Sequence, residues 1–298
     1  MLQSGSASGA SSSGSLISSQ GSQQLGRQTH LPTTLLYHQR WASHSSQGSL
    51  SKPVTCKLAG LRAFAATPSP TGEGGAGSAK NEVHSSHLAV FVSGGGSNFK
   101  SIHAACQRGQ IKGEVALVVS NVPTCGGVLY AQDHDIPTLI YPASKKKSVE
   151  GMTADELLSA LKHQFEVDFI LLAGYLRLIP PEIVRAYNCR ILNIHPALLP
   201  AFGGKGFYGM RVHEAVVASG ARFSGPTVHF VDEEFDRGPI LAQRAVPVYP
   251  SDTPGDVQAR VLRQEHIVYP ECVAALCDGR VSWRDDGVPI LWDGGKQV

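Results

Sequence analysis

Hydrophobic residues from His87 onward alternate between short continuous runs and longer helical patterns. The apolar run at 88–93 is followed by glycines, which is typical of a strand covered on both faces. A helical pattern follows, with Phe99, Ile102 and Ala105 on one side. The same order of strand and helix recurs as far as residue 195, and it predicts a largely parallel sheet with right-handed crossovers.

The predicted elements of this first part are short and regularly spaced. We expect strands at residues 88–93, 115–119, 136–141, 168–173 and 190–194. We expect helices after residue 98, at 124–134 and 153–165, and after Pro180-Pro181, where proline suits a first helical turn.

The second part of the chain changes its pattern. Two extended runs, at 224–232 and 239–248, predict an antiparallel hairpin added to the sheet. Helices are expected at 211–219 and 253–276, the second capped by Thr253, and short strands near 279–284 and 288–292 close the chain. The predicted fold class is therefore α/β, with one domain, a mostly parallel central sheet and helices on both faces.

The first 80 residues differ in composition from the rest. They are rich in Ser, Gly, Gln and Thr, and they carry six lysines or arginines against one acidic residue, Glu73. This composition is typical of a disordered organelle transit peptide. We expect residues 1–80 to be that peptide, addressed to the chloroplast or alternatively the mitochondrion, and residues 87–293 to form the folded domain.

Composition also excludes several function classes. The net charge of +2 comes from residues 1–80, and the rest of the chain is mildly acidic. It shows no basic stripe of the kind that binds nucleic acid. The dense basic run at 145–147 is interpreted as a solvated loop tip. No stretch approaches the ~20 apolar residues of a membrane span. The six cysteines form no Cys-x-x-Cys and no zinc spacing, so neither a membrane nor a metal is expected.

The glycine-rich turn at 94–96 lies between a predicted strand and a predicted helix. Such a turn presents backbone N–H groups at a helix N-terminus, where the helix dipole favours an anion. The pattern matches neither the dinucleotide nor the Walker motif, so a phosphate monoester is expected at the turn formed by residues 93–98.

Asn193 and His195 alternate on one strand and therefore project to the same face, at its carboxyl end. A neutral amide beside an imidazole can stabilise a developing oxyanion. An orienting carboxylate is best supplied by Asp236, and we expect it to raise the pKa of His195 and keep the ring protonated. Asp232, Glu233 and Glu234 are alternatives. His213 and His229 show no ligand spacing and are expected in core or surface roles.

Five segments together give the chain a specific resemblance. They lie in order at 93–98, 171–179, 191–200, 228–240 and 263–266. The chain resembles the phosphoribosylglycinamide formyltransferases of purine synthesis, and its leader and the loop at 203–210 resemble plant and green-algal members. The resemblance implies a Rossmann-like domain that transfers a formyl group from 10-formyltetrahydrofolate to the amine of glycinamide ribonucleotide.

The resemblance also implies roles for particular residues. The catalytic trio would be Asn193, His195 and Asp236. The ribonucleotide would contact a set shared by the glycine turn and the last long helix: Gly96, Ser97, Asn98, Leu262, Arg263, Gln264 and Glu265. The folate would contact the segments that follow two strands, together with Asn193: Leu176, Arg177, Leu178, Ile179, Asp232, Glu233, Glu234, Phe235 and Asp236.

Three rival interpretations remain open. A formyltetrahydrofolate deformylase would use water as acceptor and usually carries a regulatory domain, which residues 1–80 are not expected to form. A methionyl-tRNA formyltransferase would need a further basic domain. A non-catalytic nucleotide-binding module would not need Asn193, His195 and Asp236 together. We expect a protein that acts as a monomer or homodimer, with two small-molecule substrates and no nucleic-acid partner.

Overall fold

The computed structural model describes residues 85–142 and 150–298. The predicted transit peptide and the lysine run at 145–147 lie outside the described residues. Within the described part, no helix is long and apolar enough to cross a membrane. The same part contains no group of three or more His, Cys, Asp or Glu side chains that could hold a metal ion.

The strands form one large sheet and two small ones. In chain order they are β1 (Ser86–Val92), β2 (Gly113–Ser120), β3 (Thr138–Ile140), β4 (Phe169–Leu172), β5 (Ile191–His195), β6 (Phe223–Ser224), β7 (Thr227–Phe230), β8 (Ile240–Gln243), β9 (Val246–Pro247), β10 (Val281–Trp283), β11 (Pro289–Asp293) and β12 (Lys296–Gln297). The large sheet has the order β3-β2-β1-β4-β5-β7-β8. Strands β1 to β5 pair in parallel, whereas β7 pairs antiparallel with β5 and β8. The predicted parallel sheet and antiparallel hairpin are both confirmed.

The helices connect the strands. They are α1 (Ser97–Gln107), α2 (Gly126–Gln132), α3 (Ala154–Ser159), α4 (Pro181–Ala186), α5 (Met210–Ser219) and α6 (Pro254–Cys277). The predicted helix at 153–165 is corrected in one respect. It begins at its Thr153 cap, but its second half, Ala160–Gln164, is a π-helical turn.

Side-chain alternation along β1 divides the core into two layers. Leu88 and Val90 pack in the layer that contains α1, α2 and α6. Ala89 and Phe91 pack in the other, with residues of α3 and α4. Because successive strand side chains point to opposite faces, a continuous apolar run is what a sheet covered on both faces requires.

Helix α6 is hydrogen-bonded to two strands of the large sheet. Thr253 caps its first turn in a capping box with Asp256, as the sequence predicted for the cap. The buried hydroxyl of Tyr269 lies 3.1 Å from the carbonyl oxygen of Leu172 in β4 and 3.0 Å from that of Leu192 in β5. One side chain therefore holds the helix across the junction of these two strands.

The glycine turn after β1 packs on the first turn of α2. The Gly127 N–H donates to the Gly94 carbonyl at 3.0 Å. A methyl group added at Gly127 would lie 2.8 Å from Val92 Cγ2, and one added at Gly96 would lie 2.8 Å from the Gly127 Cα atom. The turn reaches this position only because both positions lack side chains.

We predict that Gly127→Ala destabilises the fold by about 1–3 kcal/mol, because the stiff Val92 side chain and the glycine turn must shift to admit a methyl group. Urea unfolding of purified protein measures this difference. Gly255→Ala is the matched control, since Gly255 also lies in a first helical turn but its added methyl would meet its nearest neighbour at an ordinary 3.7 Å. Equal stability of the Gly127 variant and wild type would contradict the prediction.

Candidate active site

A cavity of about 530 Å³ opens at the carboxyl ends of the parallel strands. Its walls come from the turns after β1 and β4, the end of β5 with its following loop, the connection from β7 to β8, and α6. Open α/β sheets bind their ligands at this edge, because the loops that leave neighbouring strands diverge there and leave a crevice.

Asn193, His195 and Asp236 meet in this cavity. The first two project from β5, and Asp236 lies in the connection between β7 and β8 with a left-handed φ of 56°. His195 Nδ1 is 3.5 Å from Asp236 Oδ2, and Asn193 Nδ2 is 3.5 Å from Asp236 Oδ1. The structure thus brings the three predicted catalytic residues together, with the carboxylate between amide and imidazole.

The expected protonation of His195 needs correction. Its ring is buried, and burial lowers the pKa of His195 more than the nearby Asp236 carboxylate and the Phe202 carbonyl raise it. Nε2 lies 2.8 Å from the Phe202 carbonyl oxygen. Because a carbonyl only accepts, the neutral ring carries its proton on Nε2 and turns the lone pair of Nδ1 toward Asp236.

Asp236 remains ionised in this setting. Burial opposes its charge, but the neighbouring rings of His229 and His195 and the Gly204 N–H together hold the pKa of Asp236 below its ordinary value. The Gly204 N–H donates to Oδ2 at 2.9 Å. The loop that follows β5 therefore contacts both His195, through Phe202, and the carboxylate.

The predicted phosphate end of the cavity carries a buried polar pair. Asn98 lines the cavity, whereas Gly96, with a φ of 72°, and Ser97, exposed at the start of α1, are not among its lining residues. Asn98 Nδ2 donates to Glu265 Oε2 at 2.6 Å, and both side chains are buried. Burial raises the pKa of Glu265, against the opposing effect of the Asn98 hydrogen bond. Asn98 Oδ1 is buried and has no hydrogen-bond partner within residues 85–142 and 150–298.

Leu262 lines the cavity beside Glu265, whereas Arg263 and Gln264 do not. The side chain of Arg263 is exposed on α6. A single helix presents only residues three or four apart on one face, so four consecutive residues cannot all face one ligand. The ribonucleotide roles of Arg263 and Gln264 remain predictions.

The predicted folate end is apolar and open. Four consecutive residues after β4 line it: Leu176, Arg177, Leu178 and Ile179. The side chains of Leu176 and Leu178 are 53% and 45% exposed, as is typical of apolar surface that a ligand covers.

Most of the residues predicted to contact folate in the turn before Asp236 line the same cavity. Asp232, Glu234 and Phe235 line it, whereas Glu233 does not and pairs with Arg185 at 2.9 Å. Burial raises the pKa of Asp232. The folate role of Glu233 remains a prediction.

Comparison with known proteins agrees with this geometry. The family model described as formyl transferase matches residues 86–273. The chain belongs to the formyl transferase family. It is 52% identical, over 78% of each chain, to the phosphoribosylglycinamide formyltransferase, chloroplastic, of Arabidopsis thaliana. The phosphoribosylglycinamide formyltransferase of Escherichia coli is 34% identical to it over 71% of this chain and 95% of the bacterial one.

A solved structure supports the fold of this formyl transferase. Glycinamide ribonucleotide transformylase 1 from Symbiobacterium toebii superposes with a TM-score of 0.60 at 34% identity. The match covers 70% of this chain and 94% of that chain. The predicted Rossmann-like formyltransferase fold is therefore confirmed.

Sequence reasoning missed two histidines of this formyl transferase. His213 on α5 and His229 on β7 both line the cavity, and both are buried. Alternation along β7 indicates which face His229 occupies, but only the register of the antiparallel pairing with β5 places it opposite Asn193. For His213 the helical pattern alone gave no such signal.

We predict that His213 makes stability depend on pH. Burial lowers the pKa of His213 from 6.5 to about 4. Unfolded chains therefore bind a proton here that folded chains do not, and the free energy of unfolding falls as pH falls from 6.5 to 4. The full effect is about 3 kcal/mol. His213→Leu should remove this part of the acid destabilisation, measured by urea unfolding across pH 4–7.5.

His163→Leu serves as the control for that comparison. His163 is exposed on the π-helical turn and does not line the cavity. The pH dependence of this variant should match that of wild type. The prediction for His213 is wrong if both variants retain the wild-type slope.

Proposed function

We propose that this formyl transferase moves the formyl group of 10-formyltetrahydrofolate onto the amine of glycinamide ribonucleotide, in purine synthesis. The observation that carries the proposal is that Asp236 lies within reach of both Asn193 and His195 in one cavity. At one end of that cavity are the glycine turn and Glu265, and at the other the apolar segment after β4. The relatives named above bear the name of this activity.

The proposed reaction begins with attack of the substrate amine on the formyl group. The amine nitrogen bonds to the formyl carbon, and the carbonyl electron pair moves to the formyl oxygen. An amide N–H of Asn193 stabilises that oxygen as a preorganised donor, worth about 3–4 kcal/mol of barrier in such sites. Neutral His195 has a lone pair on Nδ1 that can take the proton released by the amine.

Asp236 then acts on the protonated ring. The imidazolium carries a hydrogen on each nitrogen, and both nitrogens face acceptors, the carboxylate of Asp236 and the Phe202 carbonyl. Burial disfavours that charge before the reaction, and Asp236 stabilises it once it forms. The electron pair of the oxyanion then re-forms the carbonyl, and the bond between the formyl carbon and the folate nitrogen breaks. The proton passes from His195 to that nitrogen, which regenerates the neutral ring as the product amide forms.

The two ends of the cavity suit the two substrates. Backbone N–H groups at Gly96 and Ser97 would hold the phosphate, because a helix N-terminus favours an anion. Asn98 and Glu265 would accept hydrogen bonds from donor groups of the ribonucleotide. The flat ring of the folate would cover the exposed apolar side chains of Leu176 and Leu178.

The proposal predicts that His195→Ala and Asp236→Asn each lower kcat by roughly 10²- to 10⁴-fold, the usual contribution of a positioned acid or base. KM for both substrates should change little. The absorbance change of 10-formyltetrahydrofolate measures turnover with the ribonucleotide and, separately, without an acceptor. Asp155→Asn, an exposed acid in the first turn of α3, is the matched control and should retain wild-type kcat.

Two outcomes of this assay would contradict the proposal. Equal turnover with and without the ribonucleotide would assign water as acceptor and a deformylase activity. A purified Asp236→Asn variant with wild-type kcat would remove Asp236 from the catalytic groups.

We also predict that Glu265→Gln raises KM for the ribonucleotide by about tenfold and leaves KM for the folate unchanged. The variant keeps the shape of the side chain but loses the charge that strengthens hydrogen bonds from ligand donors. Steady-state kinetics with each substrate varied in turn measures the two constants. A similar rise in both would place Glu265 outside the ribonucleotide end.

We propose the chloroplast as the location of this enzyme. The plant relative described above is named chloroplastic, and the acid-poor composition of residues 1–80 suits an organelle address. A fluorescent protein fused after residue 84 and imaged in plant cells tests the address, with mitochondrial fluorescence as the alternative outcome.

A further inference from the structure

His229 is buried beside the catalytic groups and has no role in the chemistry described so far. Its Nδ1 lies 2.8 Å from the carbonyl oxygen of Phe230, the next residue in β7. A carbonyl oxygen only accepts hydrogen bonds, so the proton of the neutral ring must lie on Nδ1. Nε2 is left with a lone pair.

That lone pair faces the amide of Asn193. Nε2 of His229 is 3.0 Å from Asn193 Nδ2, and an amide nitrogen only donates. If the amide were turned over, its oxygen would face the same lone pair and two acceptors would be in contact. His229 therefore determines which end of the Asn193 amide lies on this side, and its 2% exposure excludes water as a substitute partner.

The amide nitrogen has a second hydrogen. Nδ2 is also 3.5 Å from Asp236 Oδ1, on the same carboxylate that faces His195. His229 Nε2 is itself 3.6 Å from that oxygen. The nitrogen end of Asn193 is thus held where amide, imidazole and carboxylate meet. One hydrogen is accepted by His229, and the other makes only a long contact of 3.5 Å with Asp236 Oδ1.

We propose that His229 is a positioning residue that, as the Nδ1–H tautomer, keeps the amide of Asn193 turned so that its nitrogen end lies at the reaction centre. The hydrogen that makes only the long contact with Asp236 can then be offered to the formyl oxygen. This inference rests on the proposed function for its chemical meaning. His229 touches no reacting atom and transfers no proton. It acts only through Asn193, by accepting one of its two amide hydrogens.

Two substitutions separate this role from a packing role. His229→Phe keeps a planar ring but removes the acceptor, and it should lower kcat by about 10- to 100-fold, somewhat less than the ~10²–10³-fold cost of removing an oxyanion donor itself. His229→Gln offers a carbonyl oxygen to the same amide and should recover part of the loss. KM for both substrates should stay within about threefold of wild type. Loss through misfolding would instead appear in the melting temperature.

A double-mutant cycle tests whether His229 acts through Asn193. In an Asn193→Ala background, His229→Phe should cause no further loss of kcat, because the group that it positions is absent. His103→Phe is the matched control. His103 is a partly buried histidine bonded to the Tyr130 hydroxyl, outside the cavity, and its substitution should leave kcat unchanged in both backgrounds.

The tautomer of His229 can be determined by NMR independently of catalytic activity. In 15N-resolved NMR of the wild-type protein at neutral pH, His229 should show a protonated Nδ1 and an unprotonated Nε2. A proton on Nε2 would overturn the proposal, and so would a fully additive cycle or wild-type kcat in His229→Phe. If wild type proves inactive with both substrates, the proposed function fails while the NMR result still decides the arrangement of the site.

Discussion

The pairing of β5 with its two neighbours is the constraint on which the site depends. Strand β5 runs parallel to β4 and antiparallel to β7, and the register of the second pairing places Asn193 opposite His229 and His195 opposite Thr227. Residues directly opposite on paired strands have neighbouring side chains. The antiparallel return of the chain also carries the turn with Asp236 back over the end of β5. One change of strand direction therefore assembles amide, imidazole and carboxylate.

The cavity joins two surfaces of opposite character. At one end a carboxylate and an amide are buried together, and Asn98 Oδ1 has no partner among the described residues, which costs free energy in the absence of a ligand donor. At the other end Leu176, Leu178 and Phe235 expose apolar side chains to solvent. A ligand that donates a hydrogen bond would stabilise the first end, and a ligand with an apolar surface would stabilise the second.

Local patterns in the sequence predicted much of this arrangement. Alternation along residues 190–195 placed Asn193 and His195 on one face, and the Thr253 cap followed from side-chain chemistry within one turn. The role of His229 could not be predicted in the same way, because it depends on a register between strands that are distant in sequence. The net direction of the His195 pKa was predicted wrongly, since a nearby carboxylate is visible in a sequence but the extent of burial is not.

The hydrogen bond between Asn98 and Glu265 joins residues 167 positions apart. Asn193 and Asp236, in contrast, are 43 positions apart. Closing a longer loop costs more chain entropy. Because Glu265 lies on α6, this end of the cavity is complete only when α6 has docked on the sheet. A ligand that binds this end therefore stabilises the docked state of α6 by mass action. Binding of a ligand at this end should therefore also protect α6 against proteolysis and hydrogen exchange.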